Sequence, residues 1–421
     1  MSATTEAAAQ PLSLWRTPGL TVLFAASTTA RLANECARLA VVLMALDRTG
    51  STALSGALVA AMTLPQLVSG PVLGAWLDRT AHRRTAFVAN QLLVPAVLVV
   101  LVLGVGHAPS WVLVAVTALT GVTAPVLYGG FTGLIAPLVR PALIPRAYGA
   151  ESASYNVAGV GGPALTGLVA GLVSPTAAVL VAVGLALAAL VPVLRVPMPA
   201  PTPTGEAPRL LRAVGAGLRH MAVTPPLRSA TVATTISFGG LGALPVVLPA
   251  LAEELGAPAA TGGALFSAFA VGALLSSVAL AARVPRTGPL RLAYLGVLGL
   301  GFAAAGLALA PTLAVAFLAV VVAGVFESPV VASTLTVRDR NSPPEMRTQV
   351  VTTAASIKLG AFAVGSAAAG SLVAAHGAPA GAWLVVGCQA AGIALGVVAL
   401  GRHPRRTGRR VPQAEGAPAR R

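Results

Sequence analysis

Hydrophobic positions in this chain neither alternate nor keep to one face of short segments. They run on in stretches of about 20 mostly apolar residues, separated by brief polar breaks. Reading from break to break places twelve such stretches near residues 18–46, 54–76, 85–106, 110–137, 151–173, 176–194, 227–250, 261–282, 289–309, 311–335, 348–374 and 381–401. A helix of about 20 residues crosses a hydrocarbon core about 30 Å thick. Within that core only helices and closed barrels satisfy their own backbone hydrogen bonds. Barrel strands span with about 10 residues and alternate in polarity, which these stretches do not. The pattern predicts an all-α membrane protein with twelve transmembrane helices.

Composition agrees. Apolar residues are 56% and charged residues 10% of the 421, against about 45–50% and about 25% in soluble domains. The net charge of +16 is informative through its placement. With the spans numbered alternately, 24 of the 28 Lys and Arg residues fall on the side of both termini. Arg48 falls on the other side, and Arg31, Arg38 and Lys358 lie within spans. The positive-inside rule makes the first side cytoplasmic, which predicts a multi-pass cell (inner) membrane protein with both termini in the cytoplasm. The basic excess then attracts anionic lipids at that face. Nucleic acid is not expected as a partner, because no basic patch is interleaved with stacking aromatics.

The opening MSATTEAAAQPLSLWRTPG lacks the basic start and small-residue cleavage site of a signal peptide, so a short cytoplasmic lead-in is expected. Cys36 and Cys388 both fall in predicted spans and indicate no disulfide framework. The five histidines sit at loops or span ends in no metal-ligand spacing, and no phosphate-binding loop for ATP is present. No metal, cofactor or enzymatic activity is expected.

Six spans precede the Pro-rich connector RVPMPAPTPTGEAPRLLRAVGAGLRHMAVTPP and six follow it. This divides the chain into an N-terminal six-helix bundle (1–196), a cytoplasmic linker (197–225), a C-terminal six-helix bundle (226–401) and a basic tail (402–421). In the linker, Leu210, Leu211, Val214, Leu218 and Met221 share a helical face, with Arg209, Arg212 and Arg219 largely elsewhere, as in a helix lying on a membrane surface. Two joined bundles of six are the architecture of secondary transporters, whose central cavity lies at the midplane between the halves. Small-residue pairs predict close helix approach in spans 2, 5, 8 and 11: Gly70 and Gly74, Gly167 and Gly171, Gly263 and Gly272, Gly365 and Ala369.

Between the second and third spans the chain reads GAWLDRTAHRRT. Gly74, Asp78, Arg79, Arg83 and Arg84 resemble the loop motif Gly-x-x-x-Asp-Arg-x-Gly-Arg-Lys/Arg of the major facilitator superfamily, with Ala81 and His82 departing from it. The segments LDRTGSTALSGALVAAMTLPQLVSGP, GLRHMAVTPPLR and PPEMR resemble its drug-efflux branch of macrolide and siderophore exporters. In GVGGPALTGLVAG, residues Gly162, Pro163 and Gly167 are similar to the helix-5 signature of proton-coupled antiporters, with Thr166 where Gly is common. The resemblance implies a proton antiporter exporting amphipathic small molecules, working as a monomer on the proton gradient without a cofactor. Asp78 ends a helix, where the dipole disfavours an anion. It needs a partner, either Arg79, Arg83, Arg84 or the N-terminus of another helix. The resemblance implies the start of helix 11, near Pro344–Thr348, as a cytoplasmic gate.

Charges inside spans are functional candidates by default. Arg31, Asn34, Glu35 and Arg38 fall on one face of the first span, where Glu35 has Arg31 at i−4 and Arg38 at i+3 as partners. Glu327 precedes Arg338 by eleven residues and Lys358, the only lysine, follows Arg347 by eleven. Both therefore lie about 16 Å in from those positions on antiparallel helices, which predicts a Glu327–Lys358 ion pair. Snorkelling of Lys358 and a fixed packing network around Glu35 are the structural alternatives. These five ionised residues are the expected proton-coupling set. Gln66, Thr120, Thr123, Tyr128, Tyr155, Asn156, Thr235, Ser237, Phe238, Phe266 and Phe269, with Asn34, are candidates for the substrate cavity. Nutrient uptake, and a non-transporting receptor on the same fold, remain alternatives.

Overall fold

The computed structural model describes residues 14–199, 210–258, 261–283 and 286–401, and its regular structure is helical. After a 3-10 turn at Leu14–Arg16, α1 spans Leu20–Thr49. Gly50, at φ 62°, ends it in a left-handed turn whose N–H returns to the Leu46 carbonyl. Helices α2 (Thr52–Thr63) and α3 (Pro65–Arg79) follow one path, and α4 is Arg83–Gly104. Helix α5 (Ser110–Pro125) widens into a π-turn at Val126–Gly130 and continues as α6 (Phe131–Gly133) and α7 (Ile135–Leu138). Then come α8 (Ile144–Leu172), α9 (Pro175–Arg195) and α10 (Leu210–Val223). The remainder is α11 (Pro225–Leu241), α12 (Leu244–Glu254), α13 (Thr261–Ala282), α14 (Pro289–Ala308), α15 (Leu313–Asn341), α16 (Arg347–His376) and α17 (Ala378–Leu400).

Among the described residues, ten helical runs are long and apolar enough to cross a membrane. They are α2–α3 from Leu54, α4, α5–α7, α9, α11–α12, α13, α14, α15, α16 with its preceding turn, and α17. Helices α1 and α8, of 30 and 29 residues, have the length but not the hydropathy: Arg31, Glu35 and Arg38 interrupt α1, while α8 carries Arg146 and Glu151 near its start and Tyr155, Asn156 and several glycines after them. Two helices extend past their hydropathy limits. The stretch read as 151–173 begins at Ile144, and the one read as 311–335 ends at Asn341. Hydropathy falls where polar side chains appear, but the backbone ladder continues wherever those side chains find protein to face.

Val41, Met44, Leu98, Leu101, Leu113 and Val179 form a buried cluster among α1, α4, α5 and α9. Val247, Leu248, Val297, Leu300, Val320 and Val385 form another among α12, α14, α15 and α17. A third, around Phe87, Phe131 and Ile135, reaches Ala281, Leu335 and Val351, tying the early helices to the late ones at the end where α3 stops. Large apolar side chains such as Leu103, Phe302 and Val364 stay exposed, as on a surface that meets lipid.

Two helix pairs close this end. A Cβ built on Gly74 would come within 2.6 Å of the Gln349 Cα, so α3 and α16 touch backbone to backbone there. Helix α8 meets the end of α13 in the same way: a Cβ on Gly149 would sit 2.7 Å from the Ala281 nitrogen, and Arg146 Nε donates to the Ala281 carbonyl at 2.9 Å. The small-residue expectation holds for Gly70, Gly74, Gly272, Gly365 and Ala369, which abut other helices or are buried. It fails for Gly167, Gly171 and Gly263, which are exposed with open space beside them. Helix α10 forms as read, but the stripe it buries is Ala213, Gly217 and Met221, with Leu218 exposed. Arg209, residues 200–209 of the linker and the tail 402–421 lie outside the described residues.

Candidate functional site

A cavity of about 370 Å³ lies among α1, α3, the π-turn, α8, α11, α15 and α16. Glu35, Arg38, Gln66, Tyr128, Tyr155, Asn156, Phe238, Glu327, Arg338 and Lys358 all contribute to its wall. Four of the five predicted charges therefore meet in one space, although they come from helices up to 323 residues apart (Lys358 against Glu35).

On one wall Glu35 is fully engaged. Arg38 Nη1 donates to its Oε2 at 3.0 Å, and the Tyr128 hydroxyl donates to its Oε1 at 2.6 Å. Asn34 Nδ2 in turn donates to the Tyr128 oxygen at 2.9 Å. Gly162 lets α8 pass directly behind this carboxylate, since a Cβ there would lie 2.6 Å from the Glu35 Cβ. Thr166 donates to the Cys36 carbonyl at 3.1 Å and pins the crossing. Pro163 and Gly167 face away from α1 and are exposed.

Arg31 does not pair with Glu35. It reaches Glu151 on α8 at 2.6 Å, with the side chains 0% and 1% exposed. Arg31 Nη1 also donates to Ser154 at 3.0 Å, and its guanidinium stacks 4.0 Å from the Tyr155 ring centroid. Thr132 donates to the same carboxylate. A single buried cation thus gathers α1, the region after the π-turn and α8. Glu151 was missed because it was read as the first residue of a span, at the membrane edge. The helix starts seven residues earlier, so Glu151 lies a full two turns in.

The opposite wall corrects a second expectation. Glu327 and Lys358 share the cavity, but no ion pair within 4.0 Å joins them among the described residues. Glu327 Oε2 is buried without a hydrogen-bond partner, and the Lys358 ammonium stands 5.8 Å from the Phe238 ring centroid. The two residues line one cavity from α15 and α16 without pairing. Arg338, placed by hydropathy in a loop, is inside α15, is 4% exposed and lines the same cavity. Its neighbour Asp339 turns away to Arg347 at 3.1 Å.

Below the cavity, Asp78 resolves its choice of partner. Its Oδ1 accepts the Thr348 N–H at 3.0 Å and its Oδ2 the Gln349 N–H at 2.9 Å, both at the first turn of α16. Free N–H groups and the positive end of the helix dipole suit a carboxylate there. Arg83 instead caps the end of α3, donating to the Leu77 and Asp78 carbonyls at 2.8 and 2.9 Å, and Arg84 donates to the Val196 carbonyl at 3.1 Å. Arg79 ends α3. At the opposite end a looser cleft of about 610 Å³ separates Gly159 and Pro163 of α8 from Pro249 of α12 and Phe266 of α13, and near the Asp78 end a smaller one of about 400 Å³ lies between Pro141 and Pro145 on one side and Arg286, Leu292 and Arg340 on the other.

Several cavity candidates are placed elsewhere. Thr120 and Thr123 donate back into their own helix. Ser237 is buried, the Thr235 hydroxyl has no partner, and neither lines the main cavity. Phe266 lines the looser cleft and packs on Phe269. Asn156 donates to Ser328 at 3.2 Å, linking α8 to α15 beside the cavity.

The sequence matches the model of the Major Facilitator Superfamily over residues 23–358 and 230–420. It is 30% identical over 380 residues to an uncharacterized MFS-type transporter, y4rN, of Sinorhizobium fredii, covering 86% of this chain and 90% of that protein. Its fold is similar to the human organic anion transporter MFSD10, with TM-score 0.75 and 18% identity over 91% of this chain and 98% of the other. It is also similar to the E. coli fucose:proton symporter FucP, with TM-score 0.70 and 13% identity over 90% and 98%. A ten-run apolar helical fold, the Asp78 motif seated on α16 and a family match spanning most of the sequence have one common reading: the chain belongs to the Major Facilitator Superfamily and is a membrane transporter, not an enzyme.

Proposed function

We propose that this transporter exports amphipathic small molecules in exchange for protons, by alternating access between two six-helix halves. In this reading α1 and α8 also cross the membrane, completing twelve, because their charges face protein rather than lipid. With the Asp78 end in the cytoplasm, as the positive-inside bias has it, the seating of Asp78 on α16 supports a form held shut on that side. The observation that carries the proposal is the cavity's two carboxylates in unlike settings. Glu35 is held by Arg38 and Tyr128, while Glu327 has an oxygen with no partner. A proton arriving at either removes a charge and shifts the balance between the two facing states. One charge crossing a potential of 100 mV contributes about 2.3 kcal/mol to that cycle. The proton gradient supplies the energy, and no cofactor is needed.

The test is a susceptibility profile of an efflux-deficient host expressing the protein, with and without a protonophore, paired with everted-vesicle transport by Glu35→Gln and Glu327→Gln. Export that survives the protonophore, or that both variants still drive against a gradient, removes proton antiport. Accumulation by whole cells instead of export reverses the direction to uptake.

A further inference from the structure

We propose that Arg338, with the positive charge of Lys358 in the same cavity, receives an oxyanion group, a carboxylate or sulfonate, on an amphipathic substrate, so that the cavity selects monoanions. The inference rests on this cavity being the substrate site and adds the substrate's charge.

The first observation is the state of Arg338. Its side chain is 4% exposed and lines the cavity, yet neither Nε nor Nη2 has a hydrogen-bond partner. Among the described residues no carboxylate lies within 4.0 Å of it. Buried donors are almost always satisfied, and a guanidinium fork is shaped for two oxygens of one oxyanion. The second observation is the charge sum. Glu35 and Arg38 answer each other, Arg31 is answered by Glu151, and Asp339 is turned to Arg347. Glu327, Arg338 and Lys358 remain in the cavity, two cations against one carboxylate. Among the described residues Lys358 also lacks an ion-pair partner within 4.0 Å. One negative charge from outside the protein balances the set. The third observation is the rest of the wall: Pro125, Phe238, Val331, Leu335, Val351 and Leu359 offer an apolar bed, and the volume suits a small organic molecule.

The experiment uses the full chain in phosphatidylcholine nanodiscs, titrated calorimetrically with 2-naphthoate, 2-naphthamide and 2-naphthylmethylammonium. These probes share one apolar body and differ in charge. The expected result is naphthoate binding at least tenfold tighter than either of the others. Arg338→Gln should weaken naphthoate at least tenfold and leave naphthamide unchanged, with Arg338→Lys retaining part of the preference. Should Arg338→Gln not give monodisperse protein, Lys358→Gln and Arg338→Lys are read in the same way. Absence of naphthoate binding, equal binding of the three, or a preference that survives Arg338→Gln overturns the proposal. Proton-driven export, followed separately in everted vesicles, keeps the two readings apart. Export without anion preference sinks only this inference, and anion preference without proton coupling sinks only antiport.

Discussion

Replacing Asp78 by Asn isolates one electrostatic contact between α3 and α16. The native carboxylate accepts two backbone N–H groups, at 3.0 and 2.9 Å, while only 4% exposed. An amide of the same shape keeps one acceptor and turns an NH2 toward the other N–H, so one charge-assisted bond is lost and a donor faces a donor. Hydrogen bonds to charged groups contribute about 1.5–3 kcal/mol, and the helix terminus adds about 0.3–1 kcal/mol for the lost charge. A combined loss of about 2–4 kcal/mol shifts a two-state equilibrium about 30- to 800-fold toward the form open at this end. Spin labels at Thr80→Cys and Glu345→Cys, with Cys36 and Cys388 replaced, report that opening as a long-distance population in pulsed electron paramagnetic resonance. Asp78→Glu, which keeps the charge, should shift it less than Asp78→Asn does. A distance distribution unchanged in well-folded Asp78→Asn protein would show that the carboxylate does not hold the two helices together.

Arg31→Met strands the buried Glu151 carboxylate and should destabilise the protein by about 3–5 kcal/mol in thermal unfolding, with Arg31→Met/Glu151→Leu recovering most of the loss. Gly74→Ala forces a Cβ against Gln349 and should cost about 1–3 kcal/mol, whereas Gly171→Ala, with open space beside it, should leave the melting temperature unchanged. Tyr128→Phe removes the 2.6 Å donation to Glu35. A charged hydrogen bond of about 1.5–3 kcal/mol predicts at least a tenfold slower proton-driven transport rate in vesicles.

Much of this molecule is legible from its sequence, because lipid and the backbone impose strict rules. Continuous apolar runs could only be membrane helices, and an acid at the end of α3 could only rest beside donors, which α16 provides at Thr348 and Gln349. The site was harder to read where a polar side chain coincides with a helix end. Glu151 and Arg338 were assigned to the membrane edge because hydropathy records the solvent a side chain prefers, not the point where the helix stops. Neither partner choice nor side-chain direction follows from depth alone. Arg31 had Glu35 one turn away, yet Glu151 offered a drier, better enclosed oxygen. Glu327 and Lys358 line one cavity, yet among the described residues no ion pair joins them.

The π-turn at Val126–Gly130 makes chain length a constraint as strict as side-chain identity. A π-turn holds one residue more than the regular spiral around it, and here that residue budget sets the angle at which Tyr128 meets Glu35 and its carbonyl meets Arg31. Deleting one position there would restore ordinary winding and swing everything on one side of the cut by about 100° relative to the other. The phenol would leave the carboxylate although no amino acid at the site had changed type. Variation in this stretch is therefore free to substitute where packing allows, but not to lengthen or shorten.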